Sequence, residues 1–580
     1  MKTAKQMYRW GGYKTLRKLT LTAVLLFLTG LVFAQNNLPF TKGVNLCNFL
    51  EYWGEQKDAL PTMNKYDEAD FVCLKSMGVD VIRLVCSFDL YAQEASGIGK
   101  IDETILKKLD EVCDWAEKNQ IYLIIDNHNN HTFDKQNYTS NDFTLLQKHL
   151  ESVWSQIAPR YADRSDYIIY EIMNEPTGGN ASKWYKIQQE IISLIRRYDT
   201  KHSIVVSCID WSKIPELVKL KPYKDDNLIY TFHCYEPFFF THQGRQGDPT
   251  TERLKDVPFP YDQKRFPKLP DDLSWFREQY RTEGTVKYIN SLIKKAADWA
   301  KKNNVKVFCG ELGPKIWINT EDRISWISTV VNALNENDIP YLSWNIDDST
   351  GFLKNTNVVR GDEKAYGVYF PEDIDEAVAK AYGFNMPSSQ AIAMANDSLK
   401  KFPQKSYVVY DEADGKRTSV NPFNARITKL SDSHERCFVT SYPQEQANIE
   451  IYLPKAITSK FEENEKSLVI SFDVKFTDKN QSFEVLLVDS DGGKKELPWT
   501  KRYDLKASDY ALNKWITVEI PVSRFDNNWG AWSNVDQAWY DLPCEFTWLR
   551  FEKLTFNFND HTGGSSKGDL YIDSIVIKQK

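Results

Sequence analysis

Two glutamates in this chain stand where a buried strand gives way to a turn. In Tyr167-Ile-Ile-Tyr-Glu-Ile-Met-Asn-Glu-Pro176 an apolar, β-prone run ends abruptly at Asn174-Glu175-Pro176, and Thr177-Gly178-Gly179 follows. Such a run suits a strand buried on both faces of a parallel sheet, and proline and glycine stop it. Glu175 therefore lies at the C-terminal lip of that strand, with an amide immediately before it. Lys306-Val-Phe-Cys-Gly-Glu311-Leu-Gly-Pro314 repeats the design, with a short apolar run, an acid at its end, then glycine and proline. One such acid reads equally well as a solvated turn residue. Two on two strand ends are the minimum apparatus for breaking a glycosidic bond. One carboxyl group is held protonated for the leaving oxygen, and the other stays ionised to attack the anomeric carbon.

The elements that must hold these acids can be read from the spacing of apolar runs. The runs are Gly43–Leu46, Val79–Val85, Ile121–Asp126, Tyr167–Ile172, Ile204–Cys208, Leu228–His233, Lys306–Gly310 and Tyr341–Asn345. Amphipathic segments of helical length lie between most of them: Asp102–Asn119, Asp142–Tyr161, Ser182–Tyr198, Glu283–Asn303 and Thr320–Asn335. Eight strands alternating with helices predict an α/β fold, a (β/α)8 barrel whose strand ends carry the chemistry. The runner-up, a doubly wound open sheet, lacks any Gly-x-Gly-x-x-Gly after a strand.

Other polar residues cluster at the same strand ends. Arg83 is in the second run, His128 follows the third, Asn174 and Glu175 end the fourth, His233 and Tyr235 close the sixth, Glu311 the seventh and Trp344 the eighth. Together with the acid pair, this set resembles glycoside hydrolase family 5, a retaining family with the (β/α)8 fold that includes many cellulases. The resemblance implies Glu175 as acid/base and Glu311 as nucleophile. It implies Arg83 beneath the nucleophile, Asn174 on the sugar 2-hydroxyl, and His128 and His233 orienting sugar and carboxylates. It also implies Tyr235 donating to Glu311 and Trp344 as a platform under the sugar. The acid pair supplies both nucleophile and proton, so neither a metal nor an organic cofactor is expected. A zinc site from His128, His131 and His233 is the competing reading, and the asparagine-rich surroundings and the acid pair speak against it.

Aromatic residues near the strand ends suggest cleft walls. Trp53 follows the first strand and Trp211 the fifth; with Trp275 they read either as sugar platforms or as packing. The long segment from Glu236 to Asp272 carries Phe238-Phe239-Phe240 and several prolines and is expected to shape subsites. The segment after Trp344, Asn-Ile-Asp-Asp-Ser-Thr-Gly351, departs from the glycine-rich turn frequent in the family and leaves substrate choice open.

Residues 1–34 read as a signal peptide. Lys2, Lys5, Arg9, Lys14, Arg17 and Lys18 precede the apolar run Leu19–Phe33 without a single acid, and Val32-Phe33-Ala34 offers a cut before Gln35. An uncleaved anchor is the alternative. Export to the periplasm, the cell surface or the medium is expected, with no stable membrane insertion after cleavage. Removing six cations from a net charge of −7 leaves about −13, which argues against nucleic acid as a partner. The nine cysteines show no Cys-x-x-Cys spacing and read as buried thiols, with one disulfide such as Cys437–Cys544 left open.

The barrel is expected over 35–386 and a helical linker over 387–404. Over 405–580 short alternating segments predict a separate all-β sandwich, a jelly roll, as a candidate carbohydrate-binding module. There Trp529, Trp532, Trp539 and Tyr540 read as a sugar platform or as packing, and Asp411 with Asp573 as ligands of a structural calcium. The function these features imply is hydrolysis of a polysaccharide or oligosaccharide substrate, most simply an endo-acting cut of β-1,4-glucan with retention. Mannan, xyloglucan or xylan are alternatives within the class, a transglycosylase is another outcome, and a noncatalytic glycan-binding protein is the rival outside it.

Overall fold

A computed structural model of the chain describes residues 38–51, 66–94, 96–128, 143–177, 180–347, 349–354, 371–400, 407–410, 419–430, 434, 436–443, 446–453, 455–489, 497–526, 530–533, 535–540, 545–558 and 566–580. Eight strands close into a parallel barrel in sequence order: β1 (Lys42–Leu50), β2 (Val81–Cys86), β3 (Tyr122–Asn127), β4 (Ile168–Glu171), β5 (Ser203–Val206), β6 (Leu228–Cys234), β7 (Lys306–Leu312) and β8 (Tyr341–Ser343). Each corresponds to one of the apolar runs. The helices between them start where a side chain accepts from the first free amides, as Asp102, Asn180, Thr285 and Asn319 do. The helix expected over Glu283–Asn303 runs Val286–Asn303, and a separate helix, Ser274–Glu283, precedes it; Gly284 ends the first and Thr285 caps the second.

Alternation along the strands sorts the barrel interior into layers. Val81, Ile124, Ile169, Val205, Ile229, Phe308 and Leu342, one from each of β2 to β8, join Phe40 in a closed apolar plug at the N-terminal end. Two residues further along the same strands come Arg83, Asp126, Glu171 and Thr231, all fully buried, and Asn45 of β1 joins them. The next step brings His128 and His233, at the C-terminal lip. One irregularity alters this order. Phe232 pairs with Cys309 but His233 with Glu311, so Gly310 is an extra residue on β7 and the strand bulges there. The bulge sets Glu311 directly beside His233.

The helix Ser389–Lys400 lies in the expected linker; at its start Ser388 N donates to Ser76 Oγ at 3.0 Å, and just before it Asn385 N donates to Met77 O. Beyond it two antiparallel sheets form. One runs in the order Ser419–Phe423, Asn448–Tyr452, Phe551–Asn557, Ser482–Asp489, Thr500–Lys506. The other runs Arg426–Lys429, Arg436–Tyr442, Gly568–Gln579, Leu468–Lys475, Ile516–Pro521, with Tyr407–Tyr410 also paired to Gly568–Gln579. Several of these escape a reading of alternation. Thr500–Lys506 is a charged edge strand, Ser419–Phe423 carries a proline at the opposite edge, and Lys455–Asn464 is a helix that buries Ile457 and Phe461.

Cys86, Cys208, Cys234 and Cys309 are buried free thiols. Cys544, Asp411, Trp529, His131, Trp53 and the segment 1–34 lie outside the described residues. Among the described residues no helix is long and apolar enough to cross a membrane.

Candidate active site

Arg83 is the hub of the polar layer. Its Nε and Nη2 donate to the two oxygens of Glu171 at 2.7 and 2.9 Å, and Nη2 also reaches Asp126 Oδ2 at 3.0 Å and Asn174 Oδ1 at 2.8 Å. Nη1 donates to Glu311 Oε1 at 2.9 Å and Asn45 Oδ1 at 3.0 Å. A guanidinium with no exposed surface is tolerable only with its donors satisfied in this way. Asp126, Glu171 and Asn45 were not singled out from the sequence. The available signal was the period of two, which puts Asp126 one interior step before His128 and Glu171 two before Glu175.

At the lip, Glu175 and Glu311 face each other across His233. Nδ1 of His233 lies 2.5 Å from Glu175 Oε1 and 3.4 Å from Glu311 Oε2. One carboxylate oxygen of each glutamate and a ring nitrogen of His233 all lie within 4.8 Å of one another. Among the described residues no other three acid, histidine or cysteine side chains bring ligand atoms that close. Tyr235 OH donates to Glu311 Oε2 at 2.8 Å. Glu311 thus has the Arg83 and Tyr235 donors on opposite oxygens, whereas the Glu175 side chain, 21% exposed, is held among the described residues by His233.

The electrostatics follow from burial. Desolvation pushes Glu175 up to about 7, against the opposing charges of Arg83 and Lys213. It raises Glu311 too, and the neighbouring Glu175 charge adds to this, while Arg83 opposes it. Burial holds the His233 imidazole down at about 4, so the ring is neutral near pH 7. Asp126 is raised to about 7 by burial, with Arg83 opposing. The pair therefore shares one proton readily near neutrality. The donors on Glu311 favour its ionised form and leave the proton on Glu175.

A second chain of contacts orients Asn174. Asp126 Oδ2 lies 2.6 Å from His128 Nδ1, and Asn174 Nδ2 lies 3.2 Å from His128 Nε2. With His128 neutral, since burial lowers it, Nδ1–H donates to Asp126 and Nε2 accepts from Asn174. Asn174 Oδ1 is occupied by Arg83, so the amide is held from both ends. The indole of Trp344 stacks on His128 with ring centroids 5.4 Å apart. A turn after β5 braces this corner. Asp210, Trp211 and Ser212 are consecutive non-glycine residues at φ of +62, +59 and +53°. Strain of this kind is held only where the surroundings dictate it. Here Ser212 Oγ donates to Asn174 O and Ser212 O accepts from His233 N.

The structure therefore brings Arg83, His128, Asn174, Glu175, His233, Tyr235, Glu311 and Trp344 together. Trp211 is partly exposed on the adjoining turn, with Lys213 Nζ 4.5 Å above its ring. Trp275, on the helix Ser274–Glu283, is 46% exposed, with its ring edge-on to Phe239 and Phe276. Two exposed aromatics on the loops after β6 and β7 escaped notice as individual residues. Phe238 stacks on His242 at 4.2 Å, and Trp317 is held by a hydrogen bond from its Nε1 to Gln243 O. Trp532 and Trp539 face each other across a short hairpin in the C-terminal region, 43% and 48% exposed.

Comparison with known proteins places this geometry in context. Residues 34–350 match the family described as Cellulase (glycosyl hydrolase family 5). Endoglucanase 3 of Fibrobacter succinogenes is 30% identical over 353 residues, which cover 56% of this chain and 52% of that protein. The chain thus spans about half the length of that relative. Endoglucanase C of Acetivibrio thermocellus is 26% identical over 318 residues, covering 53% of this chain and 91% of that protein. Among solved structures, Cel5A of Thermotoga maritima in complex with cellobiose is 24% identical with a TM-score of 0.47, over 59% of this chain and 97% of that one.

Proposed function

The chain belongs to the cellulase family, glycosyl hydrolase family 5, and from that premise we propose that it is an exported, retaining endo-β-1,4-glucanase. The observation that carries the reading is the acid pair, with an oxygen of Glu175 and one of Glu311 within 4.8 Å. A retaining site needs its carboxyl groups about 5–5.5 Å apart, whereas an inverting one leaves about 6.5–9.5 Å for a water. The endoglucanase names of the curated relatives support β-1,4-glucan as the substrate, and the basic and apolar composition of residues 1–34 supports export.

The steps follow from the positions. Glu311, kept ionised by Arg83 and Tyr235, attacks the anomeric carbon, while protonated Glu175 gives its proton to the departing glycosidic oxygen. The bond to the leaving sugar breaks as the ester to Glu311 forms. Glu175, now a carboxylate, takes a proton from a water that attacks the same carbon, the ester breaks, and Glu175 is protonated again. Asn174 presents its remaining N–H to the 2-hydroxyl, a contact that strengthens as charge develops. Trp344, fixed against His128, is the floor on which the cleaved residue rests.

Reducing-sugar release from carboxymethylcellulose and barley β-glucan, measured in the exported fraction beside a Glu311→Ala variant, tests this. Release by the wild type, lost in the variant and with the β-anomer appearing first, is the expected result. Turnover of mannan or xylan alone would replace the substrate and keep the mechanism. A folded protein inert on every glycan would overturn the reading in favour of a glycan-binding protein.

A further inference from the structure

The loops after β6 and β7 carry two large rings that the core does not absorb. Phe238 is 39% exposed and Trp317 is 41% exposed. Both are nonetheless fixed in place. Phe238 lies parallel to the His242 imidazole, with ring centroids 4.2 Å apart and 17° between the planes, so the area left in water is its other face and edge. Trp317 is tied through Nε1 to Gln243 O at 2.6 Å and lies against Gly244, where a Cβ would come within 2.7 Å of Nε1 and 3.1 Å of Cδ1 of the indole. Residues 242–244 therefore seat both rings. Holding a large ring still while part of it stays in water costs side-chain freedom and forgoes burial, which suits a ring that stacks on a ligand. The seat is continuous with the active site. His242 packs edge-on to Tyr235 with centroids 5.2 Å apart, and Tyr235 OH donates to Glu311. Thr241 Oγ1 donates to Tyr235 O at 2.7 Å, and Lys315 N, on the β7 loop, donates to Thr241 O at 3.0 Å. On its other side Ile316 N donates to Ser349 O at 2.7 Å, on the loop that follows Trp344. Only the rings of His242 and Tyr235 separate Phe238 from the carboxylate of Glu311.

We propose that Phe238 and Trp317 form a binding subsite for a sugar residue of the polysaccharide chain beyond the one that is cleaved. A pyranose offers a sheet of C–H bonds on its ring faces and hydroxyls around its edge, so it fits an exposed aromatic face with polar groups at the rim. The rim here is Lys315, whose Nζ lies 5.7 Å from the centre of the Trp317 ring and donates to Ser349 Oγ at 2.5 Å. A protein partner would need about 800 Å² of surface on each side, far more than two rings supply. The proposal rests on the glycosidase reading for the identity of the chain and adds where a further part of that chain is held.

The dependence of kcat/KM on chain length, from cellobiose to cellohexaose, tests this in the wild type, Phe238→Ala and Trp317→Ala. The wild type is expected to gain with each added sugar until the rings are reached. Each variant is expected to lose about tenfold on the longest substrates, mainly through KM, the size of one lost aromatic contact. The loss should shrink as the substrate becomes too short to reach the rings. Phe238→Tyr, which keeps the ring, is expected to retain the length dependence. A loss equal at every length, or no loss at any, overturns the proposal. If the wild type cleaves manno-oligosaccharides instead, the same series on that sugar decides in the same way. If it cleaves no glycan, calorimetric titration with cellohexaose separates the two readings. Binding weakened about tenfold in Phe238→Ala and Trp317→Ala keeps the subsite while the proposed function fails, and binding that is absent or unaltered overturns both.

Discussion

Removing the Tyr235 hydroxyl probes how the two glutamates are kept in different protonation states. Tyr235 OH is one of two donors holding the Glu311 carboxylate, at 2.8 Å on Oε2, while Arg83 occupies Oε1. A hydrogen bond to a charged group contributes about 1.5–3 kcal/mol, and one pH unit corresponds to about 1.4 kcal/mol. In Tyr235→Phe the Glu311 carboxyl, already raised by burial, is therefore expected to climb by about one to two pH units. Glu175 is held at about 7. On the proposed mechanism the acid limb of the kcat/KM profile reports Glu311 losing its proton, and the alkaline limb reports Glu175 losing its own. The substitution should thus move the acid limb towards the alkaline one, narrowing the bell and lowering its maximum. A profile from about pH 4 to 9 on a soluble cello-oligosaccharide measures this. A uniform fall with both limbs in place would refute the reasoning, because it would mean that Tyr235 does not set the ionisation of Glu311.

Two further outcomes follow from the same geometry. Glu175 and Asp126 have folded-state values raised to about 7, so each favours the folded chain fully below its unfolded value near 4 and progressively less as pH rises through 7. Thermal unfolding is expected at higher temperature at pH 5 than at pH 8, with a smaller difference in Glu175→Gln; an identical slope in wild type and variant would contradict the burial argument. Trp344→Ala removes the ring stacked on His128 and should raise KM more than it lowers kcat, by roughly tenfold on the scale of one lost aromatic contact. Steady-state kinetics on oligosaccharides of increasing length would check it, and an unchanged KM would rule the platform out.

Much of the fold is legible in the sequence. The eight runs became the eight barrel strands because a parallel strand buried on both faces must be apolar along its length, and at β4 and β7 proline or glycine stops the chain just past the acid. The terminal region was legible as β and only partly as strands. Thr500–Lys506 and Ser419–Phe423 sit at sheet edges, where one side is free and charge or proline is tolerated, so alternation weakens. Trp275 shows the limit of residue type alone, since neither its exposed ring nor its edge contacts with other aromatics are written in its own run.

From the sequence alone came the identity and strand of each acid, the pairing of Asn174 with Glu175, and the histidines, tyrosine and tryptophan around them, since these are properties of one strand and its end. Only the closed barrel decided which groups meet. Glu171 and Asp126 are register partners of each other, and they meet Arg83, itself registered with Ile124, because the closed barrel turns all three side chains into one buried layer, a relation no single strand contains. The extra residue Gly310 has no signature in its own run. It acquires meaning when β7 is laid against β6, where it turns Glu311 to His233 and, having no side chain, lets Thr231 and His233 pack closely against the β7 backbone. Periodicity is local and survives in the chain, whereas register and burial are sums over neighbours, so protonation and distance between the acids had to wait for the tertiary structure.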